Sequence, residues 1–237
     1  MDEKNNDRIR VMEILNRSQY NDEIIDGLDM SNLDLTFSDL SEVMAEGIMA
    51  KQVHLRASSL MRASFFDCDF EFADFRSCNL EEIHIADCRF GEANFSKANM
   101  KYAKVNISSC FETCFDEVDF SYGELVGTIL NHATFRRANL YKIDAKQADC
   151  TGTDFSNANL TEGNFEKAYL EDANLSEVNA RNADFTNADL TGVTLLNGDF
   201  TDANFTGAKL DNVVWTGAKV EGAKFDENVK EQILKMI

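Results

Sequence analysis

The side chains of this 237-residue chain that could do chemistry are three histidines (His54, His84 and His132), six cysteines, and 42 aspartates and glutamates. A catalytic or metal site would need several of them to converge within hydrogen-bond or ligand distance. No P-loop, no GxGxxG and no nucleophile elbow gathers such groups locally. Twelve of the aspartates recur at one position of a five-residue repeat, where a backbone turn accounts for them. Five of the six cysteines also follow that repeat. Cys68, Cys78 and Cys88 stand at its small position, and Cys110 and Cys150 at its apolar position. Only Cys114 takes the Asp/Asn position. Buried thiols used as small hydrophobes fit a reducing cytoplasm. The expectation is a protein with no catalytic residues, no cofactor and no metal ligands.

The repeat itself is the stronger signal. Every fifth residue from Met30 to Phe225 is apolar, over 40 consecutive slots, with Leu in 14 and Phe in 14. Neither an α-helix of period 3.6 nor a flat strand of period 2 keeps a five-residue repeat on one face. A fixed short period marks a solenoid. Two residues before the apolar centre, Ala stands in 17 of 40 repeats; one before it, Asp or Asn stands in 21. Eight of the 12 glycines lie two residues after it, where a corner needing φ > 0 would favour them. The chain contains no proline, whose missing N–H would interrupt a ladder.

Runs such as Ala158-Asn159-Leu160-Thr161-Glu162, Ala173-Asn174-Leu175-Ser176-Glu177 and Ala188-Asp189-Leu190-Thr191-Gly192 resemble the A(D/N)LXX consensus of the pentapeptide repeat family. The resemblance covers about residues 28 to 225. It implies an all-β fold, a right-handed quadrilateral β-helix in which four pentapeptides make one 20-residue coil. The centre and the small residue point inward, and the chain turns at each corner. About ten coils stacked at the ~4.8 Å strand spacing would make a rod of roughly 48 Å. Folded on such a coil, the three histidines fall on three different faces.

The expected organisation is an N-terminal cap over 1–27, the β-helix over 28–225 and a C-terminal helix over 226–237. Open solenoid ends need caps. Residues 7–18 place Val11, Met12, Ile14 and Leu15 near helical spacing. Asp226 is a plausible N-cap for the last segment, where Val229, Ile233 and Ile237 fall at i, i+4 and i+8, with Leu234 beside them. Leu196 and Val214, at outward slots, lie near that end. These six residues could form a homodimer seam, as the resemblance also implies, or a simple lid. No stretch approaches the 18 apolar residues of a membrane span. The polar, acidic start Met1-Asp2-Glu3-Lys4 does not read as a signal peptide. The expected location is the cytoplasm.

Charge is the remaining guide to function. The net charge is −19, a sign that disfavours direct nucleic-acid binding through phosphates. Acid concentrates on two adjacent faces. Glu71, Glu92, Glu112, Glu166 and Glu171 stand at variable positions where the repeat does not ask for acid, and they are candidate partner contacts. Tyr102 and Tyr122 share one outward slot in successive coils and form a second candidate surface. Stacked like residues also stabilise a ladder without any partner. The reading is a non-enzymatic, acidic, rod-shaped protein–protein interaction scaffold. Some members of the family, the quinolone-resistance (Qnr) and MfpA-like proteins, resemble duplex DNA in width and charge and bind DNA gyrase or topoisomerase IV in its place. The resemblance therefore implies a DNA mimic directed at a type II topoisomerase as one alternative. Qnr-type members usually carry loops that interrupt the repeats, and this chain has none from 30 to 225. The other alternative is a structural or regulatory scaffold whose partner is unrelated to DNA.

Overall fold

The structure, a computed structural model, describes residues 3–233. Helix α1 (Glu3–Asn21) leads into five short parallel strands, β1 (Ile24–Asp26), β2 (Met44–Glu46), β3 (Ser64–Phe66), β4 (His84–Ala86) and β5 (Lys104–Asn106), stacked in chain order. Helix α2 (Glu227–Ile233) follows the last coil. Each strand pairs with the next at an offset of 20 residues, Ile25 to Ala45 to Phe65 and onward. Single-residue parallel bridges carry the same offset along the other faces, ending at Asn204 with Lys224. The fold is thus the quadrilateral β-helix that the resemblance implies. The helix is longer than 7–18, and the first coil opens at Ile24, four residues ahead of the expected boundary at 28.

Backbone hydrogen bonding explains the five-residue rule. An unpaired buried N–H is costly, so each repeat must place all five donors. In the repeat around Leu35, the Leu35 N–H donates to the His54 carbonyl of the next coil (2.8 Å), as the Phe37 N–H does to Arg56 (3.1 Å). The residue before the centre donates backward, as Asp74 does to Val53 (2.9 Å). The small residue usually closes the turn, as Leu33 does onto Met30 (3.3 Å). That leaves the residue just after the centre. Its N–H bonds the Asp or Asn side chain two positions earlier, as Ser31 does to Asp29 Oδ1 (2.9 Å) and Thr36 to Asp34 Oδ1 (3.0 Å). At some corners whose slot holds neither Asp nor Asn, a side chain of the coil before supplies the acceptor. Asn106 Oδ1 serves Val126 (2.9 Å), and Asp116 Oδ1 serves Arg136 (3.0 Å). The Asp/Asn preference is therefore a donor-satisfaction rule, the Asx-turn.

Left-handed backbone falls elsewhere, two residues after the centre. All eight glycines of that slot have positive φ, and so do 32 non-glycine residues of the described coils, from Asn32 (60°) to Asn212 (58°). A side chain there costs about 1 kcal/mol or more. Interior packing offsets it.

Centres and small residues alternate inward. Phe75, Phe95, Phe115, Phe135 and Phe155 stack in one column, with ring centroids 4.5 to 5.2 Å apart. Phe165, Phe185, Phe205 and Phe225 stack in another. The small slot makes room for these rings. A Cβ at Gly123 would stand 2.2 Å from Phe120 Cδ2. Most hydroxyls and thiols at that slot donate to a centre carbonyl 23 residues back, as Thr128 does to Val105 (2.6 Å) and Cys78 to Leu55 (2.8 Å), whereas Ser108 donates to the Asn106 carbonyl (3.0 Å). Burial pushes the Cys78 and Cys110 thiols up to about 12. Cys68, Cys78, Cys88, Cys110 and Cys150 are buried, while Cys114 is half-buried on the outer surface.

Helix α1 closes the first coil. Val11 and Leu15 are buried against it, with Met12 and Ile14 partly covered. Ser18 Oγ donates to the Glu23 carbonyl (2.6 Å) and accepts from the Met44 N–H (3.2 Å). Gln19 Nε2 donates to the Ser41 carbonyl (2.8 Å). The lid thus satisfies strand groups as well as covering apolar ones. At the far end coverage is thinner: Leu210, Val213, Val220 and Phe225 remain half-buried.

Candidate interaction surface

The faces of the rod are built by the outward residue before each centre, and the edges by the two corner residues after it. The 20-residue offset brings Glu71 and Glu171 to one position of a single edge, and Glu92 and Glu112 to the position beside it. Glu92 and Glu112 are exposed; Glu71 and Glu171 are half-buried. Glu166 lies on the neighbouring edge, beyond the face that bears Asp149 and Asp189.

These five carboxylates are not equivalent. Lys51 Nζ meets Glu71 at 2.7 Å and Asp69 at 3.0 Å. Arg89 also bonds Asp69, at 2.8 Å. Burial alone would raise the Asp69 carboxyl, yet Arg89 and Lys51 together hold it below its usual range. Glu166 is held low by Lys167 (3.0 Å), with Lys146 at 3.5 Å. Glu171 accepts from the Thr151 hydroxyl (3.4 Å). Among the described residues no ion pair reaches Glu92 or Glu112. Among the described residues, Glu71 is thus paired with a cation on this edge, while Glu92, Glu112 and Glu171 are not.

Tyr102 and Tyr122 stack at the opposite edge of the next face, 5.2 Å between centroids at 19°. Tyr141 meets Tyr122 edge-on at 5.3 Å and donates to Glu162 (3.1 Å). Lys142 Nζ lies 5.3 Å over the Tyr141 ring and 3.2 Å from Glu162. Lys101 pairs with Asp119 (3.4 Å). These contacts are satisfied within the chain, so the pair has a structural explanation on the ladder.

Of the residues considered for a dimer seam, Ile233 is buried and Val229 partly buried against the terminal coil, where they line a cavity of about 380 Å³ with Trp215 and Leu210. Leu196 and Val214 lie on the side of the rod, Val214 exposed. Leu234 and Ile237 lie outside the described residues.

The histidines occupy three separate faces or edges, with His84 in β4 and His54 bridged between Asp34 and Asp74. Among the described residues no group of three His, Cys, Asp or Glu side chains could hold a metal ion. No described helix is long and apolar enough to cross a membrane.

Several apolar side chains escaped the sequence reading because they sit at corner or outward slots. Phe66, Phe72, Ile107, Phe111 and Ile129 are all exposed, and all lie on one face and its two edges. Their signal in the sequence is a large apolar residue where the repeat asks for none.

Comparison with known proteins agrees with this architecture. The family profile described as a pentapeptide repeat region matches residues 148–225, and the profile for pentapeptide repeats (8 copies) matches 51–81 and 113–149. The chain belongs to the pentapeptide repeat family. Among curated proteins, none matches it in sequence. Among solved structures, it is similar to HetL, a pentapeptide repeat protein involved in heterocyst differentiation regulation from the cyanobacterium Nostoc sp. strain PCC 7120. That likeness has a TM-score of 0.57 at 20% identity, covering 91% of this chain and 96% of HetL. QnrB1, a plasmid-mediated fluoroquinolone resistance protein, superposes with a TM-score of 0.39 at 20% identity, over 92% of this chain and 91% of that one. The HetL likeness shows the fold, and the looser superposition adds nothing to it.

Proposed function

We propose that this pentapeptide-repeat rod is a non-enzymatic protein–protein interaction scaffold whose acidic edge is read by a basic partner. The observation that carries the reading is the exposed pair Glu92 and Glu112 on successive coils, without ion-pair partners among the described residues and on a chain of net charge −19. Such an edge steers a cationic surface toward the rod, and the attraction is screened by salt. Binding to a basic partner should weaken steeply between low and physiological salt. Reversing Glu71, Glu92, Glu112, Glu166 and Glu171 to lysine should abolish it, and unchanged binding would refute the reading.

A topoisomerase-directed DNA mimic is the narrower version. It is favoured by the unbroken 20-residue register from Ile24 to Lys224, which makes a loop-free acidic rod of the right sign for a basic DNA-binding surface. The purified chain should then inhibit gyrase supercoiling or relieve quinolone poisoning. No effect at tens of micromolar would leave a scaffold with a partner unrelated to DNA. Assembly through the C-terminal end belongs to the same proposal. Sedimentation should give about twice the 26.7 kDa chain mass, and deletion of 229–237 should give monomers.

A further inference from the structure

We propose that the face bounded by the corners at Ile107 and Glu112 is a docking site for a basic amphipathic helix of a protein partner. The inference rests on the acidic-scaffold reading and names a site on that scaffold. Its centre is Ile107, Phe111 and Ile129, which are 67%, 43% and 46% exposed. Two successive coils bring them together. Ser109 bridges Ile129, the Ile107 N–H bonds the Val126 carbonyl (3.1 Å), and the Glu112 N–H bonds the Asn131 carbonyl (3.0 Å). His132 stands edge-on to Phe111 at 5.9 Å and extends the patch. Gly127 follows Ile107 in the corner column, and a Cβ there would meet nothing within 4 Å, so the shelf beside Ile107 is open.

Within this face, Ile107 is a residue that folding does not explain. Its φ is 51°, and it is the one β-branched side chain among the 40 left-handed corners of the described residues. A β-branched residue in that conformation is strained. It gains no burial in return. Asn, Asp and Gly, which other corners carry, would serve the turn better. Strain kept at an exposed position points to a use outside the fold.

The surroundings select the occupant. Asp87, Glu92, Glu112 and Asp149 rim the patch, and among the described residues none of them has an ion-pair partner. The nearby cations are taken: Arg89 by Asp69 (2.8 Å), Lys104 by Glu124 (2.9 Å) and Lys146 by Glu166 (3.5 Å). A second copy would bring like charge to like, and an anionic membrane the same. A strand could not add to this face, because its N–H groups are already bonded along the coil stack. Ile107 to Phe111 spans about 13 Å of extended chain, close to the ~10–12 Å width of a helix. A helix with an apolar stripe flanked by Lys or Arg matches both the patch and its rim.

The test uses the full chain and a fluorescein-labelled Leu/Lys peptide of about 18 residues with Leu at i, i+3, i+4 and i+7. Fluorescence anisotropy should show binding that falls about tenfold or more in Ile107→Asn and in Ile129→Thr. Ile107→Asn should also melt at a higher temperature than the parent, because it relieves the corner. That sign separates a binding role from a structural one, and a lower melting temperature would overturn the proposal. Unchanged affinity in both variants, with loss in Glu92→Lys/Glu112→Lys, would overturn the apolar site and leave the acidic scaffold standing. If charge reversal also changed nothing, both readings would fall. A parent that sediments as a dimer while Ile107→Asn is monomeric would show that the patch holds a second copy, and would equally overturn the helix.

Discussion

A single inward side chain carries much of each coil. Phe155 lies fully buried, stacked on Phe135 at 5.2 Å and meeting Phe165 edge-on at 6.0 Å. Phe155→Asp would place an unpaired charge on that axis, so the variant should fail to fold or aggregate. Its neighbour behaves differently. Asp154 Oδ1 accepts from the Ser156 N–H (3.0 Å) and from Asn174 Nδ2 (3.0 Å). An asparagine keeps an oxygen at that position, so Asp154→Asn should shift stability by less than about 1 kcal/mol in urea denaturation. A soluble Phe155→Asp protein with the parent's melting curve would contradict the inward assignment.

At the scale of elements, the lid helix shows why a solenoid end needs polar as well as apolar groups. Ser18 is buried and bridges two backbone groups where the helix meets the first coils, the Glu23 carbonyl and the Met44 N–H. Ser18→Ala leaves both without that partner, at a cost of about 1–3 kcal/mol, measurable as a lower denaturation midpoint. The loss should begin at the N-terminal coils. Hydrogen exchange should therefore rise first in β1 and β2, while the Phe75–Phe155 stack stays protected.

Across the whole molecule, the aspartates that accept corner N–H groups tie stability to pH. Asp34 is held below its ordinary value of 3.8 first by the Thr36 hydroxyl, and Asp39 by that of Ser41. Asp74 and Asp116 are raised by burial, but arginine partners and local hydrogen bonds bring them below 3.8 on balance. A carboxyl depressed in the folded state stabilises above its unfolded pKa, and that contribution is lost as pH falls through the folded value. The melting temperature should therefore drop as pH passes below 3.8, the loss continuing downward as these groups protonate. A melting temperature that held level from pH 5 to pH 2 would contradict the role assigned to these carboxylates.

The period of five, carried by residues such as Leu35, Phe75 and Leu160, was enough to determine a solenoid with no helix between the caps, because neither period 3.6 nor period 2 keeps such a repeat on one face. The 20-residue coil with its inward columns came from the resemblance to the pentapeptide repeat family, since a period of five alone fits stacking offsets of any multiple of five. The eight corner glycines likewise marked the left-handed slot. Three things were decided only by tertiary structure. The Asp/Asn slot serves one particular donor, visible only once the other four N–H groups are assigned to neighbouring coils. Lys51 and Lys167 neutralise Glu71 and Glu166, whereas Glu92 and Glu112 meet no cation among the described residues, because side-chain reach decides which carboxylates meet one. Ile107, Phe111 and Ile129 form one patch because the 20-residue offset sets two coils side by side. Their separations along the chain hold no apolar pattern of their own.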